Sequence, residues 1–243
     1  MNRPPPREIF RRATARIYCF ADSPELCRRL LAAGAQVIQL RHKTASDAEF
    51  RDLALRMQEL VRAREDALLI VNDRVDIALA IGADGVHVGQ RDLDASEVVR
   101  RAPPGMVIGV SARTPEEARR AEAAGATYVG AGSVFPTATK ADARVIGLEG
   151  LRRVVAAVRL PVVAIGGITQ ATVREVLAAG ARLCAVISAV NQAPDPAEAL
   201  RRLLAACAEL PGDQGDERGR GGGQEGGVAD REGGQGGRPA AGA

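Results

Sequence analysis

The run Ala131-Gly132-Ser133-Val134-Phe135-Pro136-Thr137-Ala138-Thr139-Lys140 follows a short apolar stretch and gathers hydroxyls, a lysine and glycine backbone. A loop that only connects needs turn residues, not Thr, Thr and Lys around a rigid Pro. Backbone N–H groups, hydroxyls and an ammonium are the donors that hold phosphate oxygens. Polar or glycine residues follow other apolar runs in the same way. Gln39, Arg41 and Lys43 alternate, so an extended backbone turns all three to one side. Asn72-Asp73, Gly89-Gln90-Arg91-Asp92, Ser111, Gly166-Gly167 and Ser188 stand in equivalent places. Asp73 and Asp92 are hard oxygen donors of the kind Mg2+ takes, with substrate phosphates and water completing the shell. Both would serve equally as N-caps of the helices that follow, and the pattern alone leaves that reading standing. Arg41, Lys43 and Lys140 add charge suited to a polyanion. Gly166-Gly167 before Ile168-Thr169 reads as glycine backbone opening a helix, a phosphate site. Two anionic groups are therefore expected, one metal-bound and one near the last two strands.

Some polar residues read as structural. His87 lies inside an apolar run and is expected to be a hydrogen-bonded interior residue. His42, between Arg41 and Lys43, is expected to point away from their face, and Asp84 to satisfy backbone donors. Ser111 is a candidate cap as well as a candidate ligand.

Eight elements must position these groups. Strands are predicted at Ile17–Phe20, Gln36–Leu40, Leu68–Val71, Gly85–Val88, Val107–Val110, Thr127–Gly130, Val162–Ile165 and Leu183–Ile187, runs too short for helices and rich in β-branched residues. Between them stand helix-start signals: Ser23-Pro24, and the capping-box spacings Ser46…Glu49, Thr114…Glu117 and Asp195…Glu198. Ala33-Gly34-Ala35, Ile81-Gly82-Ala83, Ala124-Gly125-Ala126 and Ala179-Gly180-Ala181 form a weak repeat, each a left-handed glycine cap before a strand. Alternating strands and helices give an α/β fold, a single (β/α)8 TIM barrel over residues 17–210, with a doubly wound open sheet as the alternative. Residues 1–16, with three consecutive prolines, read as an irregular arm. From Pro211 onward 13 of 33 residues are glycine, which is too little apolar surface to offset chain entropy, so residues 211–243 read as a disordered tail.

Composition excludes several function classes. Four Phe, two Tyr and no Trp are too few for a base-stacking platform, and a net charge of +3 spread along 243 residues does not indicate a nucleic-acid partner. No apolar run is long enough to span a bilayer, and the N-terminus lacks an apolar signal segment. Cys19, Cys27, Cys184 and Cys207 lack metal-ligand spacing and read as buried thiols, with a cytoplasmic location as the default.

Gln39-Leu40-Arg41-His42-Lys43, Val71-Asn72-Asp73-Arg74, Ala83-Asp84-Gly85-Val86-His87-Val88-Gly89-Gln90, the Phe135-to-Lys140 run and Ala164-Ile165-Gly166-Gly167-Ile168 together resemble the thiamine phosphate synthase family. Each motif alone is weak; the ordered set, over about residues 17–207, is specific. The resemblance implies a transferase of thiamine biosynthesis. It would join 4-amino-2-methyl-5-hydroxymethylpyrimidine diphosphate to a thiazole phosphate, releasing pyrophosphate, with Mg2+ as cofactor. It also implies that Gln39, Arg41, Lys43, Asn72, Ser111 and Lys140 contact the pyrimidine diphosphate, with Lys140, Ser111 and Arg41 as the catalytic group. Asp73 and Asp92 become the Mg2+ ligands, and Thr137, Thr139, Gly167, Ile187 and Ser188 hold the thiazole phosphate. The implied partners are small phosphorylated molecules, with no nucleic acid and no membrane; a homo-oligomer is compatible with the sequence. Arg113, Ser133 and Thr172 depart from the family's common His, Pro and Asn. Two rival functions are a thiazole tautomerase-like relative and a non-catalytic thiazole- or thiamine-phosphate-binding barrel. Retention of Asn72-Asp73, Asp92, Thr137, Thr139 and Lys140 favours the synthase.

Overall fold

The computed structural model describes residues 3–137 and 144–208. Eight parallel strands close into a barrel in chain order: β1 (Ile17–Ala21), β2 (Val37–Leu40), β3 (Leu68–Asn72), β4 (Gly85–Val88), β5 (Val107–Ala112), β6 (Tyr128–Gly132), β7 (Val162–Ile165) and β8 (Leu183–Val186). Pairing of Tyr18 with Ala185 closes the ring between β1 and β8. The open-sheet alternative is thereby excluded. Helices α2 (Pro24–Ala32), α3 (Asp47–Arg62), α4 (Val75–Ala80), α5 (Ala95–Arg101), α6 (Pro115–Ala123), α7 (Gly147–Ala157) and α8 (Val173–Ala178) follow the first seven strands, and α9 (Ser188–Asn191) and α10 (Pro196–Ala208) follow the last.

Strand alternation divides the apolar residues into two cores. Ile17, Cys19, Ile38, Leu69, Val86, Ile108, Val129 and Ala164 face outward and pack beneath the helices. Tyr18, Phe20, Val37, Leu68, Ile70, Val107, Tyr128 and Val163 fill the interior. Because all strands run the same way, their C-terminal ends meet at one rim, where a (β/α)8 barrel places its chemistry.

Local signals set the helices as expected. Ser23 accepts from Leu26 N with Pro24 in the first turn, and Ser46 and Glu49 close a full capping box. The second half of the box is redirected at Thr114, where the Glu117 carboxylate accepts from Arg113 N instead. Asp195 accepts from Ala197 N and Glu198 N, while Glu198 pairs with Arg201 and Arg202. Gly34, Gly82, Gly125 and Gly180 all have positive φ just after α2, α4, α6 and α8, so the repeat marks one recurring cap.

The irregular arm expected at residues 1–16 is corrected. It holds a further helix, α1 (Pro6–Arg12), with Ile9 and Phe10 buried against the interior core. Phe10 stacks on Tyr128 with ring centroids 4.9 Å apart. Arg3 pairs with buried Asp84 at 2.6 Å, and Asp84 also accepts from Leu69 N at 2.9 Å, as expected for a residue serving backbone donors. The prolines mask this helix in the sequence, yet Pro6 in the first turn gives up only an N–H that has no helical partner. Smaller shifts occur at strand ends: Gln36 precedes β2 and accepts from Ala15 N, and Ile187 leaves β8 to cap α9. The tail beyond residue 208 lies outside the described residues.

Candidate active site

A cavity of about 530 Å3 opens at the C-terminal rim. Gln39, Arg41 and Lys43 all line it and His42 does not, as their alternation requires. His42 instead accepts from Ala45 N at 3.1 Å. From β3 and β4 come Asn72, Asp73, His87 and Asp92; from β5, Ser111. Gly166, Gly167, Ile187 and Ser188 arrive from β7 and β8, and Thr137 from the loop after β6. Thr139 and Lys140 lie outside the described residues. Every other site residue named from the sequence therefore reaches one cavity.

Capping does not account for the two aspartates. Asp94, not Asp92, caps α5 by accepting from Ser96 N, and α4 has no side-chain cap bond. Asp92 instead accepts from Gly89 N at 2.7 Å. Asp73 sits at φ 60, the only described non-glycine residue with positive φ, and such positions persist where surroundings over-determine them. Burial, the Asp92 charge and a hydrogen bond shared with Asp92 push the Asp73 carboxyl up to about 6, opposed by Asn72 and Arg41. Two carboxyl groups this close favour a shared proton or a cation between them. Ser111 is likewise no cap, since Thr114 caps α6.

Arg41 is half-buried, and desolvation lowers its pKa against the opposing pull of Asp73. Together with Lys43 it places cationic groups on the same wall as the acid pair. A hard divalent cation with phosphate oxygens as further ligands suits two carboxylates, and no group of three or more His, Cys, Asp or Glu able to hold a metal is found among the described residues.

The loop after β6 is less open than its composition suggests. Val134 N and Phe135 N donate to Ile165 and Gly166 carbonyls at 2.9 and 3.0 Å, and the Ser133 hydroxyl donates to Phe135 O at 2.6 Å. The two backbone donors are spent on docking the loop along the end of β7, and the Ser133 hydroxyl on closing the loop on itself. Gly166-Gly167 also does not open a helix directly. Ile168–Thr172 form a turn in which Thr169 N donates to Thr172 Oγ1, and α8 begins at Val173. Glycine is required there for another reason. Both residues have positive φ, and a Cβ on Gly167 would stand 2.4 Å from Pro136 O.

Tyr18, Phe20 and Tyr128, which the sequence did not single out, also line the cavity, together with Gln90, Arg113 and Ile165. Tyr18 and Tyr128 were legible only through phase, since each falls on an inward position of its strand. His87, expected as an interior residue, bonds to Tyr128 and Ser111 and is pushed down to about 4 by burial.

The similarities of the chain point to one family. The family model described as thiamine monophosphate synthase matches residues 13–190. A thiamine-phosphate synthase of Pyrococcus furiosus is 49% identical over 188 residues, covering 77% of this chain and 90% of that protein. One from Moorella thermoacetica is 51% identical over 180 residues, covering 74% and 85%. The solved thiamine phosphate pyrophosphorylase from Pyrococcus furiosus superimposes with a TM-score of 0.75 at 45% identity, covering 82% of this chain and 98% of that one. A 3-hexulose-6-phosphate synthase, at 22% identity and a TM-score of 0.60, shares the fold alone. By the family model and these relatives, the chain belongs to the thiamine monophosphate synthase family.

Proposed function

We propose that this protein is a thiamine phosphate synthase that condenses 4-amino-2-methyl-5-hydroxymethylpyrimidine diphosphate with 4-methyl-5-(2-phosphooxyethyl)thiazole, giving thiamine phosphate and pyrophosphate. The observation that carries the reading is the single cavity in which the Asp73–Asp92 pair, Arg41 and Lys43 meet Thr137, Gly167 and Ser188. The bond between the pyrimidine methylene and the diphosphate oxygen breaks, its electron pair leaving with pyrophosphate. The thiazole nitrogen lone pair then forms the new C–N bond to the methylene, so no protein nucleophile is needed. Asp73 and Asp92 would hold Mg2+, which when bound neutralises charge developing on the leaving group. Arg41 and Lys43 oppose the same charge from the β2 side, with Lys140 assigned there by the family resemblance. Gln39, Asn72 and Ser111 orient the pyrimidine, and Thr137, Thr139, Gly167, Ile187 and Ser188 the thiazole phosphate. Positioning two substrates in one site supplies much of the rate in such a reaction.

The decisive assay combines the full chain, both substrates and Mg2+, and tracks pyrophosphate and thiamine phosphate together. Mg2+-dependent formation of both is expected, with loss of about a hundredfold or more in Lys140→Ala. Absence of product from both substrates would defeat the reading, and full activity in Lys140→Ala would defeat that residue's assignment.

A further inference from the structure

Four hydrogen bonds cross the barrel through Tyr18, Tyr128 and His87, to which the reaction gives no role. Gln39 Nε2 donates to Tyr18 Oη at 2.9 Å, and the Tyr18 and Tyr128 hydroxyls are 2.9 Å apart. Tyr128 Oη is 2.8 Å from His87 Nδ1, and His87 Nε2 is 2.9 Å from Ser111 Oγ. Both tyrosines are buried. Glycine makes the room they occupy: a Cβ on Gly109 would stand 2.1 Å from Tyr128 Cζ and 2.4 Å from His87 Nδ1.

A phenol has one proton, and a neutral imidazole has one N–H. Gln39 Nε2 donates to Tyr18, so each phenol passes its one proton along the chain, which makes His87 Nδ1 an acceptor and leaves the imidazole neutral with its N–H at Nε2. The sense of the chain is therefore set from one end. Tyr18 receives from Gln39 and gives its proton to Tyr128; Tyr128 gives its proton to Nδ1. His87 then donates from Nε2 to Ser111, whose own proton is left to turn toward the cavity. At the other end, Gln39 has its Oε1 left for a ligand.

We propose that Tyr18, Tyr128 and His87 are positioning residues that lock the hydrogen-bonding sense of the pocket, with Gln39 offering an acceptor and Ser111 a donor. Resting on the proposed function, this pattern complements an aminopyrimidine, whose amino group donates and whose ring nitrogens accept. A 4-oxo ring presents an accepting oxygen in place of the amino group and a donating N–H at the neighbouring ring nitrogen, which inverts both groups on that edge. To suit it, the Gln39 amide must turn over, every proton in the chain must reverse, and His87 must move its proton to Nδ1. A site with buried polar groups left unpaired rejects the mismatched ligand strongly.

The chain holds two histidines, so 15N-histidine labelling gives two ring systems, and His42→Gln leaves His87 alone. His87 is expected to carry its proton on Nε2 at pH 7 in the free protein; a proton on Nδ1 overturns the proposal. Tyr128→Phe keeps the ring and its stack on Phe10 but removes both hydrogen bonds. With its fold checked by thermal melting, it is expected to show mixed His87 tautomers. Its kcat/KM ratio for 4-amino over 4-oxo pyrimidine diphosphate is expected to fall about tenfold or more. An unchanged ratio overturns the specificity role. Should Tyr128→Phe not fold, Tyr18→Phe breaks the same chain nearer Gln39 and is read by the same two measurements. No turnover of the amino substrate by the wild type would defeat the proposed function, whereas the tautomer reports on the chain alone.

Discussion

Asp73 holds a left-handed backbone conformation that costs an L-residue about 1–2 kcal/mol, and it shares a hydrogen bond with a second carboxyl group, that of Asp92. Both features work against stability, and under the proposed function they are the setting for a cation held by the two carboxylates. Asp73→Asn removes the like-charge repulsion without changing size. Its melting temperature is therefore expected to equal or exceed the wild type's, while product formation falls by about a hundredfold or more. Mg2+ with pyrophosphate should raise the melting temperature of the wild type and much less that of the variant. Wild-type turnover in Asp73→Asn would remove the aspartate from the metal site. Gly167 makes a separate case, because its backbone has φ 64 and its Cα lies under the Pro136 carbonyl. Gly167→Ala must shift the loop that carries Thr137, so the KM for the thiazole phosphate is expected to rise several-fold, with a smaller change in KM for the pyrimidine. Equal effects on both substrates in steady-state kinetics would place Gly167 outside the thiazole site.

At the scale of elements, the strands and caps were legible because each is fixed by nearby residues. Alternation sorted Gln39, Arg41 and Lys43 from His42, and glycine after α2, α4, α6 and α8 supplied the left-handed turn that other residues resist. Helix α1 was not legible, because its stability comes from outside itself. Seven residues make a marginal helix alone, and only the open floor of the barrel, with Tyr128 exposed to Phe10, gives Ile9 and Phe10 a place to be buried. Phe10→Ala should therefore cost about 3–5 kcal/mol in urea-induced unfolding, the usual range for a buried Phe. A loss below about 1 kcal/mol would mean that the helix covers the floor without stabilising the barrel. The turn at Ile168–Thr172 escaped for a related reason: Thr172 accepts from Thr169 N, a local bond that competes with helix and delays α8.

The whole molecule distributes its chemistry unevenly. Among the described residues, the polar groups of the site converge at one rim, while the four cysteines lie among apolar residues beneath the helices. The fold was legible from the repeat of strand and helix, and the site from the residues at each strand's C-terminal end. The Tyr18–Tyr128–His87 chain was not, since it joins β1, β6 and β4 only once the ring closes. The cysteines give that closure a direct readout. Burial pushes the Cys19 and Cys27 thiols up to about 12 and Cys207 to about 11, and raises Cys184 as well. A raised pKa depletes the thiolate, the reactive form, so at pH 8 the folded barrel should resist iodoacetamide at all four positions. Unfolding restores ordinary thiols, and labelling should then track the loss of far-ultraviolet circular dichroism along one urea curve if the barrel unfolds as a unit. Mass spectrometry across that titration distinguishes the outcomes. Adducts appearing together at the global midpoint fit a single cooperative barrel. Early labelling of Cys184 and Cys207 alone would instead mean that α8 and α10 release from the sheet before it opens.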